Sequence, residues 1–353
     1  MEEFIVHTGS LIQEYLEANE ISQKDAARLM GVTQKHLSNI VRGKTALTVE
    51  MAVLLEKVIS DVPASYWINY EGKYQEYKLK REEYKRIPLD ELPSIAKRFK
   101  FKEVFGRTTL SDLEMAAEML QILRLERFSD FKPAYQNRAA FLEDGGEREA
   151  IELWLRLALH EIATDDQGDL PEFDAEKLTK QLSVLRDLSQ NPDTEQSLDD
   201  CRFVLNSCGV YLHHREALSE SKVRGASIFC NGRPAVVYTK RFRSHDLVWF
   251  AIAHELGHIA CGHLEEGTIV SSDKDDDSKD EKEQDANVFA RDLLIDPDVY
   301  QNILNDLATT AQEDISAEIR RQAARNDIHP GILAGRLARE SIVDYRAVAA
   351  LRK

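Results

Sequence analysis

Residues 246–261 read DLVWFAIAHELGHIAC, an apolar run that ends in the motif H-E-x-x-H. The run predicts a buried helix, on which His254 and His258, four residues apart, share one face. Two imidazoles so placed can bind one Zn²⁺, and Glu255 could take a proton from water. The alternative is a buried helix whose histidines are satisfied by hydrogen bonds alone. An apolar helix needs a reason to carry these polar groups, and zinc supplies one.

The motif itself does not name the third zinc ligand. A metzincin would have a glycine three residues after the second histidine and a third histidine three residues later. Cys261 and Leu264 stand at those two places, and His263 is one position out of register, so this peptidase class is excluded. A downstream helix is the other source of a ligand. The segment EKEQDANVFARDLLIDP, residues 281–297, offers Glu281, Glu283 and Asp285.

The chain around the motif predicts the fold class. Two short apolar runs, residues 226–230 and 235–238, flank Asn231-Gly232 and predict a β-hairpin, because Asn-Gly readily adopts positive φ. Residues 110–125 and 147–163 carry apolar side chains at helical spacing. The expected fold is therefore mainly α with a small β-sheet (α+β). We expect an edge strand of the hairpin to hold a peptide substrate in an extended conformation.

Together these segments resemble the ImmA/IrrE family of zinc metallopeptidases, which pairs H-E-x-x-H with E-x-E-A-N-x-F-A-x-x-L-L-x-P. The hairpin segment at 223–238 and IHPGILAGRLARE at 328–340 are also similar to family segments. The chain departs from the pattern at Asp285, which replaces a Glu, and at Pro297, which is shifted by one. The resemblance implies a zincin-like domain with Glu255 as catalytic base. Its implied zinc ligands are His254, His258 and Glu283, with Asn287 orienting a ligand.

At the other end of the chain, residues 22–43 have the spacing of a helix-turn-helix. Ser22 and Thr33 are expected N-caps of two helices, and Gly31 and Gly43 are expected to end them. Small residues at 26 and 27 allow the helices to approach closely. Polar side chains that face outward could read base edges or hold phosphates. The predicted DNA contacts are Ser22, Gln23, Thr33, Gln34, Lys35, Ser38, Asn39, Arg42 and Lys44.

The segment ISQKDAARLMGVTQKHLSNIVRGKTALTVEMAVLLEKV, residues 21–58, resembles the Cro/repressor-type (XRE) domain of HigA-family antitoxins. The continuation PASYWINYEGKYQEYK, residues 63–78, is also similar to that family. The resemblance implies binding to double-stranded operator DNA. Repressor-type domains commonly act as dimers, so we expect a homodimer. The alternative is a small helical bundle that binds only a protein partner.

The net charge of −16 is unevenly distributed along the 353 residues. Residues 1–100 hold 15 basic and 15 acidic side chains, whereas residues 101–353 hold 31 basic and 47 acidic ones. The N-terminal part can therefore approach a phosphate backbone, and the acidic remainder would be repelled by it. This distribution agrees with an N-terminal DNA-binding domain and a separate C-terminal catalytic domain.

The expected domain organisation has three parts. Residues 1–88 form an all-α helix-turn-helix domain with a basic neck, residues 89–197 a helical connecting region, and residues 198–353 the peptidase domain. The sequence has no apolar run of about 18 residues and no basic, apolar signal segment at its start. The four cysteines show no paired short spacing and are expected to be reduced thiols. We therefore expect a cytoplasmic protein with no membrane partner.

Two functions are consistent with these features. The first is a DNA-binding regulator or antitoxin-like protein whose zinc endopeptidase domain hydrolyses a protein partner, such as a repressor or toxin-linked protein. The second is a HigA-like antitoxin or repressor whose peptidase-like domain is a non-catalytic sensor or docking module.

His213, His214, His245 and His263 are weaker candidates for substrate-side groups, and Cys261 is expected to be a packed thiol. The acidic residues 273–285 are interpreted as a solvated loop rather than a Ca²⁺ site or gating flap.

Overall fold

The computed structural model describes residues 5–132, 148–165, 170–241, 244–266, 268–272, 280–308 and 315–352. The chain forms two compact units. The first contains Met1–Ile95 and Thr109–Glu118, and the second contains Ala96–Thr108 and Met119–Lys353. Residues 89–197 contribute to both units, so the three-part division with boundaries at 88 and 197 stays a prediction. Among the described residues, no helix is long and apolar enough to cross a membrane.

The first unit contains four short capped helices and a fifth helix of 21 residues. They are α1 (Thr8–Ala18), α2 (Gln23–Met30), α3 (Gln34–Val41), α4 (Val49–Glu56) and α5 (Ala64–Tyr84). Ser22 accepts from the backbone N–H of Asp25, and Thr33 accepts from that of His36, so both predicted N-caps are confirmed. Gly31 ends α2 with φ of 71°. The core beneath these helices contains the fully buried Ile12, Leu16, Leu37, Ile40, Leu55 and Trp67.

Three further α-helices and a 3-10 helix (Phe128–Asp130) follow before residue 132, and α6 and α8 each have residues in both units. The three α-helices are α6 (Leu92–Arg98), α7 (Phe101–Val104) and α8 (Asp112–Leu123). The second unit continues with α9 (Arg148–Thr164), α10 (Ala175–Ser189) and α11 (Thr194–Ser207). The helical spacing at residues 110–125 and 147–163 thus predicted α8 and α9 correctly.

The second unit contains a four-stranded mixed sheet. Its strands are β1 (Tyr211–His214), β2 (Val223–Cys230), β3 (Arg233–Tyr238) and β4 (Ile269–Ser272), in the order β1-β3-β2-β4. The strands β2 and β3 form the predicted hairpin, with positive φ at Asn231 and Gly232. Both hairpin strands are central, because β1 pairs parallel to β3 and β4 pairs antiparallel to β2. The expectation that the hairpin supplies an edge strand was wrong: among the described strands, β1 and β4 are the edges.

The motif lies on α12 (His245–Ala260), which packs on the sheet and on α13 (Glu281–Leu294). The inner side of α12 is apolar, with Trp249, Ile252 and Leu256 almost completely buried. A Cβ on Gly257 would lie 2.9 Å from Cα of Ala286, so the glycine permits the close approach of α12 and α13. The described chain ends with α14 (Pro297–Leu307), α15 (Ile315–Arg325), α16 (Pro330–Arg339) and α17 (Tyr345–Val348).

Candidate functional site

Three of the predicted site residues meet between α12 and α13. The Nε2 atoms of His254 and His258 are 3.1 Å apart. Oε2 of Glu283 lies 3.2 Å from Nε2 of His254, and Oε1 of the same carboxylate lies 3.5 Å from Nε2 of His258. All three side chains are nearly buried. Among the described residues, this is the group of His, Cys, Asp and Glu side chains placed to hold one metal ion.

The distances between these atoms fit a tetrahedral zinc ion. Zinc bonds to imidazole nitrogen and carboxylate oxygen are about 2.0–2.2 Å long. Two ligands at tetrahedral positions are then roughly 3.3 Å apart. The separation of the two imidazole nitrogens, 3.1 Å, lies close to that value, and each imidazole nitrogen has one oxygen of Glu283 at 3.2 or 3.5 Å. Of the three acidic candidates, Glu283 belongs to this group, whereas Glu281 and Asp285 do not.

A contact with Asn287 orients the ring of His254. Oδ1 of Asn287 lies 3.1 Å from Nδ1 of His254. A carbonyl oxygen only accepts, so Nδ1 carries the proton, and Nε2 lies on the side of the ring that meets His258 and Glu283. Burial by itself raises the pKa of Glu283, but hydrogen bonds and charge interactions with His254 and His258 outweigh it and lower the pKa to about 2. The site therefore presents an ionised carboxylate beside imidazole nitrogen.

Glu255 is held against the sheet, next to the ligand residues. Its side chain is completely buried, and the hydroxyl of Ser227 in β2 donates to its Oε2 over 2.7 Å. A Cβ on Gly225 would lie 2.8 Å from Oε1 of Glu255, so a glycine is required where β2 faces this carboxylate. Sequence reasoning missed Ser227 and Gly225. The alternation of side chains along β2 was the available signal, since both residues lie on the strand before the motif helix.

His263 extends the group on its far side. Its Nδ1 lies 3.0 Å from Nδ1 of His258, and its Nε2 lies 3.7 Å from Asp285. Desolvation and the neighbouring His258 lower the pKa of His263. This contact makes His263 the candidate for orienting His258, as Asn287 orients His254.

The remaining weaker candidates lie elsewhere. His213 is hydrogen-bonded to Glu161, and His245 stacks on His329, with 4.0 Å between ring centroids. His214 also lies outside the metal-binding group. Cys261 is exposed, so its expected role as a packed thiol was wrong: it lies just past the C-terminus of α12, where the helix leaves the core. Of the acidic segment 273–285, residues 273–279 lie outside the described residues.

The predicted DNA-facing residues divide into caps and exposed side chains. The oxygens of Ser22 and Thr33 accept from backbone N–H groups as N-caps, while Gln23 donates to Gln13 over 2.6 Å. Ser38 and Asn39 are half-buried on α3. The two caps are exposed, and so are Gln34, Lys35, Arg42 and Lys44. His36 is exposed on the first turn of the same helix and was not among the predicted contacts.

Comparison with known families supports both halves of this description. Residues 12–67 match the helix-turn-helix family, and residues 212–326 match the IrrE N-terminal-like domain family. The first match covers α2 and α3, and the second covers the strands and helices that carry the metal-binding group. These matches confirm an XRE-type domain at the N-terminus, an IrrE/ImmA-like domain at the C-terminus and the α+β class. The narrower HigA affiliation stays a prediction.

Individual relatives resemble a short part of the chain. The uncharacterized HTH-type transcriptional regulator YddM of Escherichia coli K12 is 36% identical over 66 residues, which is 19% of this chain and 69% of the relative. Virulence-associated protein A' of Dichelobacter nodosus is 32% identical over 68 residues, 19% of this chain and 59% of the relative. An uncharacterized HTH-type transcriptional regulator of Haemophilus influenzae is 35% identical over 66 residues, 18% of this chain and 61% of the relative.

Proposed function

Because the chain belongs to the helix-turn-helix transcriptional regulators and carries an IrrE N-terminal-like domain, we propose that it binds operator DNA and hydrolyses a protein partner. The carrying observation is the arrangement of His254, His258 and Glu283, whose ligand atoms all lie within 4.8 Å of one another. Glu255 is the residue directly after His254, and its side chain is buried, as are the three metal-binding side chains. This arrangement supports a zinc-dependent endopeptidase.

His254, His258 and Glu283 would hold the zinc ion, leaving a fourth position open. Zinc bound there would polarise the carbonyl of the scissile peptide and lower the pKa of a water molecule. Asn287 keeps the Nδ1 proton of His254 in place, and the Ser227 hydroxyl holds one oxygen of Glu255. The carboxylate of Glu255 would accept a proton from the attacking water and pass it to the leaving amine.

The backbone of the substrate needs a partner for its own amide groups. β4 lies at an edge of the sheet, next to β2, which carries Gly225 and Ser227. We therefore propose that β4, and not the hairpin, pairs with the substrate, where an extended peptide could add a further strand. The substrate class would be a protein partner, such as a repressor or a toxin-linked protein.

The DNA-binding half would use α3 as its recognition helix. Gln34, Lys35, Arg42 and Lys44 are exposed on this helix and just after it, while Leu37 and Ile40 hold the opposite side in the core. Amide side chains can read base edges, and Lys and Arg can bind phosphates. We propose that the protein acts as a homodimer on a two-part operator.

One observation favours the second candidate function. Glu255 has no solvent-exposed surface, so water reaches its carboxylate only if the site opens. In this second function the domain would bind zinc as a sensing or docking module of an antitoxin-like repressor, without hydrolysis.

The Glu255→Gln variant of the full chain separates the two functions. Elemental analysis should give one zinc per chain for both the wild type and the variant, because Glu255 is not a ligand. Affinity purification of the variant from its host should retain an uncleaved partner, which the wild type then cleaves in a purified mixture. A wild-type protein that binds zinc and the partner but leaves the partner intact would refute the peptidase function and support the second one.

A further inference from the structure

A large cavity in the second unit adjoins the metal-binding group. It has a volume of about 870 Å³ and is bordered by α12, α13, α16 and residues near the C-terminus. Five arginines and two acidic residues line it, so the charged side chains of its wall sum to +3. These residues are Arg224, Arg291, Arg336, Arg339, Arg352, Asp246 and Glu340. We call this set, with the space it encloses, the arginine cavity.

The charge of the arginine cavity is opposite to that of its surroundings. Residues 101–353 hold 31 basic and 47 acidic side chains, so most of this part of the chain repels anions. Both acidic members of the wall face arginines: Asp246 lies 2.6 Å from Arg352, and Glu340 lies 3.1 Å from Arg336. A concave positive site within a negative body concentrates anions at that place.

Arg291 adds a positive charge to the cavity wall, and no carboxylate of the described residues forms a salt bridge with it. Its Nε donates to the backbone carbonyl of Asn287 over 3.2 Å. An arginine on a cavity wall presents several N–H donors in one plane, which suits a carboxylate.

Aromatic rings and one glycine hold the other guanidinium groups in place. Arg336 lies 3.7 Å from the ring centre of Tyr300, Arg352 lies 4.6 Å from that of Tyr345, and Arg339 lies 4.8 Å from that of Phe250. A Cβ on Gly335 would lie 2.5 Å from Asp246, so α16 can reach the Asp246–Arg352 pair only with glycine there. Desolvation, with the charges of Arg224 and Arg352, lowers the pKa of Arg339 to about 10. Such packing limits the freedom that the side chains would lose on binding a ligand.

Two residues connect the arginine cavity to the metal-binding group. Asn287 lines the cavity and is hydrogen-bonded to His254. The ring centre of Phe250 lies 6.2 Å from that of His254 and 4.8 Å from the guanidinium of Arg339. The guanidinium is therefore at most ~11 Å from the His254 ring, a distance that about three residues of extended chain span.

We propose that the arginine cavity binds a carboxylate of the polypeptide substrate, about three residues away from the peptide bond that is hydrolysed. This inference rests on the proposed peptidase function, and it names the substrate class as acidic at that position. Continuity with the metal-binding group favours a peptide over a free small anion, because a peptide can occupy both places at once.

The test uses the full-length Glu255→Gln protein, zinc-loaded, and three fluorescent hexapeptides. One carries two internal glutamates and an amidated C-terminus. The second carries glutamines and a free C-terminus, and the third carries glutamines and an amidated C-terminus. Fluorescence anisotropy should show the fully neutral peptide binding at least tenfold more weakly than one of the two acidic peptides. Whichever of the two acidic peptides binds with higher affinity shows whether the cavity binds a side-chain carboxylate or a C-terminal carboxylate.

Arg291→Gln and Arg339→Gln, each added to the Glu255→Gln protein, should remove this tenfold preference. Arg320→Gln is the matched control, because Arg320 is exposed on α15 of the same unit and does not line the arginine cavity. Arg291→Lys should keep part of the preference and guards against a folding defect. Equal affinities for all three peptides, or an unchanged preference in both arginine variants, would overturn the proposal. Tighter binding of inorganic phosphate than of any peptide would also overturn it.

These outcomes are distinct from failure of the proposed function. A wild-type protein that binds the acidic peptide through the arginines but cleaves no partner would refute hydrolysis and leave the carboxylate site intact. A protein that cleaves its partner without any preference for acidic residues would support hydrolysis and refute the carboxylate site.

Discussion

Oδ1 of Asn287 accepts a hydrogen bond from Nδ1 of His254 over 3.1 Å. Asn287 lies one turn after Glu283 on α13, so one helix supplies both a proposed zinc ligand and a group in contact with another proposed ligand. This relationship fixes the tautomer of His254 before any metal binds.

Replacing Asn287 should therefore weaken zinc binding without removing a ligand. We expect Asn287→Ala to lower zinc affinity by about 10- to 100-fold, because His254 loses the acceptor that holds its ring. Competition with a fluorescent chelator measures this change. Asn302→Ala, at an exposed position of α14, serves as control and should bind zinc as the wild type does. Equal affinities for all three proteins would contradict the orienting role.

Gly225 should tolerate no side chain. In the Gly225→Ala variant the new Cβ would lie 2.8 Å from Oε1 of Glu255 and 3.1 Å from the carbonyl oxygen of Val237. We expect a loss of about 1–3 kcal/mol in the free energy of unfolding, together with reduced hydrolysis, since Glu255 must move. Urea unfolding of the zinc-loaded protein measures the first effect.

Gly72→Ala is the matched control for this substitution. Gly72 lies within α5, and a Cβ there meets nothing within 4 Å. We expect this change to stabilise the first unit by up to ~1 kcal/mol, because alanine favours a helix more than glycine does. If both substitutions had the same effect on Glu255-dependent hydrolysis, crowding at Gly225 would not be the cause.

The salt dependence of DNA binding should separate phosphate contacts from base contacts. We expect the double variant Arg42→Ala/Lys44→Ala to reduce the slope of log affinity against log salt by roughly 2, because each phosphate contact contributes about 0.9. Gln34→Ala should leave the slope unchanged and relax the sequence preference instead. Fluorescence anisotropy with the natural promoter at several salt concentrations provides both values. Promoter binding that is identical in all proteins would assign this domain to a protein partner.

The stacked pair His245 and His329 should make stability depend on pH. Desolvation, and then the nearby His245, lower the pKa of His329 from 6.5 to about 4, and desolvation also lowers the pKa of His245. The unfolded chain therefore binds more protons than the folded chain between about pH 6.5 and pH 4. Stability from this pair is complete above pH 6.5 and falls as the pH falls through that window.

Solvent screens the charge of His329, because its side chain is only half-buried. We therefore expect His329 to account for a decrease of the order of 1 kcal/mol in the free energy of unfolding. Urea midpoints measured from pH 7 to pH 4 test this expectation, with the zinc content monitored at each pH. His329→Gln should flatten the dependence. An equally steep dependence in that variant would assign it to other groups.

Local patterns predicted the parts of the structure that depend on neighbours in sequence. The caps at Ser22 and Thr33, the turn at Asn231-Gly232 and the shared face of His254 and His258 all follow from residues a few positions apart. The sequence alone left three acidic residues as possible third ligands, and the resemblance pointed to Glu283. In the structure Glu283 lies in one group with His254 and His258, and its role as a ligand stays a prediction.

Contacts between distant segments could not be predicted in this way. Ser227 reaches Glu255 across the interface of sheet and helix, 28 residues away in sequence. The central position of the hairpin depends on β4, which follows the motif helix. The arginine cavity draws its charged residues from β2, α12, α13, α16 and the C-terminal residues, and no local spacing links them. In each case the tertiary packing, rather than a local pattern, brings the groups together.

The strand order has a consequence for the order of folding. β2 and β3 are joined by a two-residue turn, so their pairing closes a short loop and can form early. β4 pairs with β2 only after the chain has passed through α12, and Ser227 meets Ile269 across 42 positions. That longer closure costs more entropy and is expected to come later. The edge that would receive a substrate is then the last part of the sheet to assemble, after the helix that carries both histidines.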